Sequence, residues 1–329
     1  MAFLRLLEGL RTPALTLFFS TITYMGDELV FMVLAITVFW CVSKRQGYYI
    51  FAVGLGGTVV NQWLKLAFRV PRPWVLDPGF TIVESARAGA SGYSFPSGHT
   101  QNIVGTMGCL MLSNKNRLLR VLCAVFAVLV PFSRMYLGVH TPLDVGVGAA
   151  CAVVLALALY PFFRDDDGFA QTVAAVLGAL LALSLAYALW VSLTAFPADV
   201  DADNLASGVK NGWTLLGCAL GLLVSHWYDG AKLHYDVRAP LRAGLQGRVG
   251  ACAAAGAARG LETCVERGLR RGSVDERRAL LHHGRVRRLP LAHDLPVFRA
   301  AGEALTKKAL DKLAFANYTK GSWRKLIFF

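Results

Sequence analysis

Apolar residues gather into seven stretches, near residues 26–43, 48–68, 99–113, 118–133, 142–163, 171–195 and 211–227, and this grouping constrains the fold more than any other feature. A helix needs about 20 apolar residues to cross ~30 Å of hydrocarbon. Within lipid, only helices and closed barrels satisfy every backbone N–H and C=O. At 55% hydrophobic and 17% charged residues, the chain carries more apolar material than a soluble domain of its length needs. The predicted fold class is all-α, a polytopic transmembrane helical bundle of about six to seven spans.

The net charge of +13 belongs to one end of the chain. Residues 231–329 hold 20 Lys and Arg against 8 Asp and Glu, which accounts for +12 of it. No recognition element accompanies the excess, so a nucleic-acid partner is not expected. Seven cysteines (Cys41, Cys109, Cys123, Cys151, Cys218, Cys252 and Cys264) stand singly, without the paired spacing of a zinc site or a disulfide framework. The N-terminal segment interleaves Phe3, Leu4, Leu7 and Leu10 with Arg5, Glu8 and Arg11. That pattern predicts an amphipathic helix at the membrane interface rather than a cleaved signal peptide. Trp63, Trp74 and Tyr136 fall where spans meet loops, and read equally as interfacial anchors or as helix-end packing.

The connections between spans form two sets. One holds Lys44, Arg45, Lys115, Arg117, Arg120 and Arg164. The other holds the long loop from Arg69 to Gly98, the turn from Ser133 to His140, and the acidic loop with Asp199, Asp201 and Asp203. The positive-inside rule assigns the first set to the cytoplasm and the second to the opposite side.

Polar residues on the second side concentrate in three segments: Lys65 to Pro73 (Lys-Leu-Ala-Phe-Arg-Val-Pro-Arg-Pro), Phe95 to His99 (Phe-Pro-Ser-Gly-His), and Ser133 to Asp144. A charge at the end of an apolar helix costs a few kcal/mol unless it is paired or reaches the interface, so function is the default reading. Lys65, Arg72 and Arg134 supply cations for phosphoryl oxygens, and an arginine fork bonds two oxygens at once. Ser97 and Gly98 precede a helix whose N-terminal N–H groups complete an anion cradle. His140 and Asp144 are four residues apart, on one face of a helix that Thr141 caps and Pro142 opens. The carboxylate then orients one ring nitrogen and leaves the other lone pair for phosphorus. His99, on another helix, is free to protonate the leaving oxygen. Singly, these residues have ordinary explanations: a hydrogen-bonded helix-end histidine, or a lysine snorkelling to the interface. The ordered combination does not.

These three segments, in this order between apolar helices, closely resemble the signature of the type 2 phosphatidic acid phosphatase superfamily, which includes vanadium haloperoxidases and glucose-6-phosphatase. The resemblance covers roughly residues 13–165. It implies Lys65, Arg72, Ser97, Gly98 and Arg134 as phosphate ligands, His99 as general acid, His140 as a nucleophile forming a phosphohistidine, and Asp144 as its partner. It implies no cofactor and no metal. The implied substrate is a lipid phosphate or diphosphate. Undecaprenyl diphosphate is favoured, with phosphatidate, phosphatidylglycerophosphate and sphingoid phosphates as alternatives. A lipid phosphotransferase and a non-catalytic lipid-binding or translocating membrane protein are the competing functions. The expected location is the cell membrane, with the site on the extracytoplasmic side.

The expected organisation is an interfacial segment over 1–25, a catalytic membrane core over 26–165, further spans over 166–229 and a basic tail over 230–329. Within the tail, Ala279 to Arg288 back-translates, one base later, to an apolar run. Residues 240–293 are therefore read either as a partly frame-shifted segment or as a tail attracted to anionic lipid.

Overall fold

A computed structural model describes residues 1–87, 89–164, 168–197, 200–235 and 237. The chain divides into two units, Met1–Glu262 and Thr263–Phe329. The second unit, the end of the first and the proposed frame-shifted stretch lie outside the described residues.

The described residues contain helices and no strand. They run as α1 (Ala2–Gly9), α2 (Pro13–Ile22), a 3-10 turn (Thr23–Gly26), α3 (Glu28–Cys41), α4 (Lys44–Phe68), α5 (Pro73–Leu76), α6 (Gly98–Ser113), α7 (Arg117–Tyr136), α8 (Pro142–Arg164), α9 (Phe169–Leu193) and α10 (Ala202–Tyr228). Local sequence sets the starts of these helices. Thr12, Asp27, Ser43, Ser97, Asn116 and Asp201 each accept a bond from a backbone N–H of the helix they precede.

Helix α4 is the axis of the bundle, against which α3, α6, α8, α9 and α10 pack. Its residues from Gly47 to Leu66 are mostly buried. Glycines bring its neighbours close: a Cβ on Gly54 would lie 2.1 Å from the Phe31 ring, and one on Gly57 would lie 1.6 Å from Gln101 Nε2. Trp63 stacks on Trp190 with ring centroids 4.6 Å apart, so this tryptophan packs α4 against α9. Tyr136 is likewise buried, beside Phe19.

The outer helices turn apolar side chains outward, including Leu118, Leu122, Val125 and Val128 on α7 and Leu143, Val154 and Leu157 on α8. That surface suits hydrocarbon and not water. Three helices, α7, α8 and α9, are long and apolar enough to cross a membrane, and a fourth span results if α2 and α3, bent by 53°, count as one. This is fewer than the six to seven expected. The difference lies in α4, α6 and α10: α4 buries Asn61, Gln62 and Lys65, α6 has 16 residues and buries Gln101 and Asn102, and α10 carries Asp203, Asn204, Lys210 and Asn211.

Helix α1 buries Leu4 and Leu7 and leaves Phe3 and Leu6 exposed. Polar contacts fasten it and the residues just after it to the loop following α5 and to the end of α7. Arg5 Nη2 donates to Asp77 Oδ2 at 2.6 Å, Thr81 N donates to Glu8 Oε1 at 2.9 Å, and Arg11 Nε donates to the Tyr136 carbonyl at 3.0 Å.

Candidate active site

The three sequence segments meet at one end of the bundle. Lys65 comes from the last turn of α4, Arg72 from the loop before α5, Ser97, Gly98 and His99 from the start of α6, Arg134 from the last turn of α7, and Asp144 from the first turn of α8, whereas His140 lies in the bend that precedes α8 and not on the helix face its spacing to Asp144 predicted. Lys65, Arg72, Ser97, Arg134, His140 and Asp144 are all buried, whereas Gly98 and His99 are half-buried.

The start of α8 explains the placement of Asp144. Thr141 N donates to Asp144 Oδ2 at 2.7 Å, and Asp144 N donates to Thr141 Oγ1 at 3.2 Å. This is a reciprocal capping box, so the local sequence Thr-Pro-Leu-Asp fixes the carboxylate before any tertiary contact forms. Ser94 then donates its hydroxyl to the same Oδ2 at 2.6 Å. With Oδ2 engaged by two donors, His140 Nδ1 stops 3.6 Å away. That distance exceeds a hydrogen bond, and among the described residues Nδ1 has no hydrogen-bond partner. The carboxylate and ring are thus adjacent without the bond the spacing predicted.

The opposite ring nitrogen, His140 Nε2, is 3.1 Å from Arg72 Nη1. A guanidinium only donates, so Nε2 presents its lone pair and the ring proton sits on Nδ1, toward Asp144. Burial, followed by the charges of Arg72, Arg134 and Lys65, pushes the His140 imidazolium well below the usual histidine range. The ring is neutral at pH 7. Burial also lowers Arg72 to about 10, against the opposing pull of Asp144, which leaves it charged.

One short loop, Gly89–Tyr93, holds all three cations through its carbonyls. Arg72 donates from Nη2 to Ser91 O at 2.7 Å and from Nε to Gly92 O at 3.0 Å. Lys65 donates to Tyr93 O, and Arg134 Nη2 reaches Gly89 O at 3.4 Å. Arg72 Nη1 also donates to Val139 O at 3.0 Å. Sequence reading missed this loop, because backbone acceptors leave no mark in residue type. It missed Ser94 because that contact joins positions 50 apart.

The Ser97–Gly98 segment, expected as the anion cradle, is seated on α8. Ser97 N donates to the Asp144 carbonyl at 3.0 Å, and the Ser97 hydroxyl caps α6. A Cβ on Gly148 would lie 2.7 Å from the Ser97 carbonyl oxygen. Because that neighbour is backbone, Gly148→Ala is expected to displace the cradle. Phosphatase assays are expected to give a kcat/KM lower by roughly tenfold or more, since small misplacements of binding groups carry costs of that order.

A family model described as the PAP2 superfamily matches residues 45–167, the span that contains the whole constellation. The chain belongs to the PAP2 superfamily. This PAP2 chain is a membrane protein, and its relatives carry the names of lipid phosphatases. It is 29% identical over 125 residues to the undecaprenyl-diphosphatase BcrC of Bacillus subtilis, covering 38% of this chain and 60% of the relative. It is 26% identical over 239 residues to a probable sphingosine-1-phosphate phosphatase of Dictyostelium discoideum, covering 67% of this chain and 55% of the relative. The crystal structure of LpxE from Aquifex aeolicus is 30% identical, with 47% of this chain and 90% of that chain covered, at a TM-score of 0.40. The matches therefore span somewhat over half the length of the two curated relatives.

Proposed function

We propose that this protein hydrolyses the phosphate or diphosphate of a membrane lipid through a phosphohistidine on His140. The observation that carries the reading is the His140 ring, neutral, with its Nε2 lone pair beside the Arg72 fork and its Nδ1 toward Asp144. Lys65, Arg72 and Arg134 bind the equatorial oxygens, and the Ser97–Gly98 cradle adds the Gly98 N–H and the Ser97 hydroxyl. On binding, Arg72 Nη1 passes from Nε2 to a phosphoryl oxygen and frees the lone pair for attack. The P–Nε2 bond forms as the P–O bond to the lipid breaks, and His99 gives its proton to the departing oxygen. Asp144 stabilises the positive charge that develops on the ring. His99 then takes a proton from water as that water attacks phosphorus, the P–Nε2 bond breaks with its electron pair returning to His140, and inorganic phosphate leaves.

Undecaprenyl diphosphate is the favoured substrate, with sphingoid phosphates, phosphatidate and phosphatidylglycerophosphate behind it. The site is assigned to the extracytoplasmic side of the cell membrane, with α4, α6 and α10 as additional crossings. The test is phosphate release from each lipid by detergent-purified protein in EDTA. The reading expects release that persists in the chelator, with one lipid preferred. Absence of release from all four lipids, or release that requires a divalent metal, contradicts it.

A further inference from the structure

We infer that the 3-10 turn Thr23–Gly26 is a wall of the active site, and that Thr23 is a positioning residue that fixes Arg134 for phosphate binding. The inference rests on the reading of Arg134 as a phosphate ligand. The turn lies outside the matched family segment of residues 45–167 and in none of the three sequence motifs.

Two contacts bring the turn to the site. A Cβ on Gly26 would lie 2.9 Å from the His99 carbonyl oxygen, 3.0 Å from His99 Cβ and 2.8 Å from Val130 Cγ1, so glycine lets the turn pack on the first turn of α6. Thr23, itself buried, then accepts a bond from Arg134 Nη1 at 2.9 Å. This is the shorter of the two bonds recorded for that guanidinium. The other, from Nη2 to Gly89 O, is 3.4 Å long, and Nε is buried without a partner among the described residues.

Which nitrogen is held matters. The edge formed by Nε and Nη2 offers two parallel N–H bonds to the oxygens of one anion, whereas Nη1 stands apart from it. Thr23 engages Nη1 and leaves that edge available, with Nε unpaired and Nη2 weakly held. The break between α2 and α3 thus orients a charge at the end of α7. An arginine with no such anchor would swing among rotamers and lose the oriented fork.

The test is competitive inhibition by inorganic orthovanadate, a phosphate mimic, measured on the detergent-purified full chain. Thr23→Val removes the acceptor while keeping the shape, and is expected to weaken vanadate binding and lower kcat/KM by about tenfold, the scale of a lost bond to a charged group. Thr23→Ser is expected to stay within about twofold of wild type by the same reasoning. In an Arg134→Lys background, Thr23→Val is expected to cost little further, because the partner it orients is gone. Unchanged vanadate binding in Thr23→Val overturns the inference, as does an equal loss in both backgrounds, which would mark a general effect on folding. If valine prevents folding, Thr23→Ala enters the same comparison. Wild-type protein that hydrolyses lipid phosphate without binding vanadate overturns the inference and leaves the hydrolase intact. Wild-type protein that does neither overturns both.

Discussion

His140→Ala is expected to lower kcat for phosphate release by at least about a thousandfold, the scale seen when a covalent nucleophile is deleted. The cause is specific. The ring presents Nε2 to Arg72 and turns Nδ1 toward Asp144, whereas His99 lies on α6. Vanadate affinity is expected to fall much less, because Lys65, Arg72, Arg134 and the cradle remain. The measurement is single-turnover phosphate release beside vanadate inhibition for the same preparation. A residual rate above about a tenth of wild type would remove His140 from the nucleophile's role.

Arg72→Lys carries the second large effect. Arg72 makes four polar contacts at once, to Ser91 O, Gly92 O, Val139 O and His140 Nε2. An ammonium retains the charge but not the planar fork, so it cannot span these acceptors or bond two phosphoryl oxygens together. A loss of roughly a hundredfold or more in kcat/KM is expected, as for removal of a preorganised transition-state donor. The loss should fall mainly on kcat, because the interaction strengthens as charge gathers on the equatorial oxygens. Near-wild-type kcat in Arg72→Lys would show that only the charge of this residue matters.

Much of this candidate site is legible in the sequence, for a physical reason. Its charged residues stand at the ends of apolar helices, where charge is rare enough to stand out, and Thr141-Pro142-Leu143-Asp144 encodes its own helix start. The supporting contacts were not legible. The Gly89–Tyr93 carbonyls act through backbone, Ser94 and Thr23 reach across 50 and 111 positions, and Gly148 matters for the side chain it lacks. The number of spans was also hard to read. Helices α4 and α6 bury polar residues against neighbours, so their hydropathy reflects packing at the centre of the bundle as much as contact with lipid.

The central claim is the covalent intermediate, and the most direct measurement is its capture. Protein turned over briefly with undecaprenyl diphosphate labelled in its terminal phosphate, then quenched in alkali, is expected to carry acid-labile label on the peptide containing His140, with none in His140→Ala. Full turnover with label on another residue, or with no label at the earliest quench times, would contradict the account.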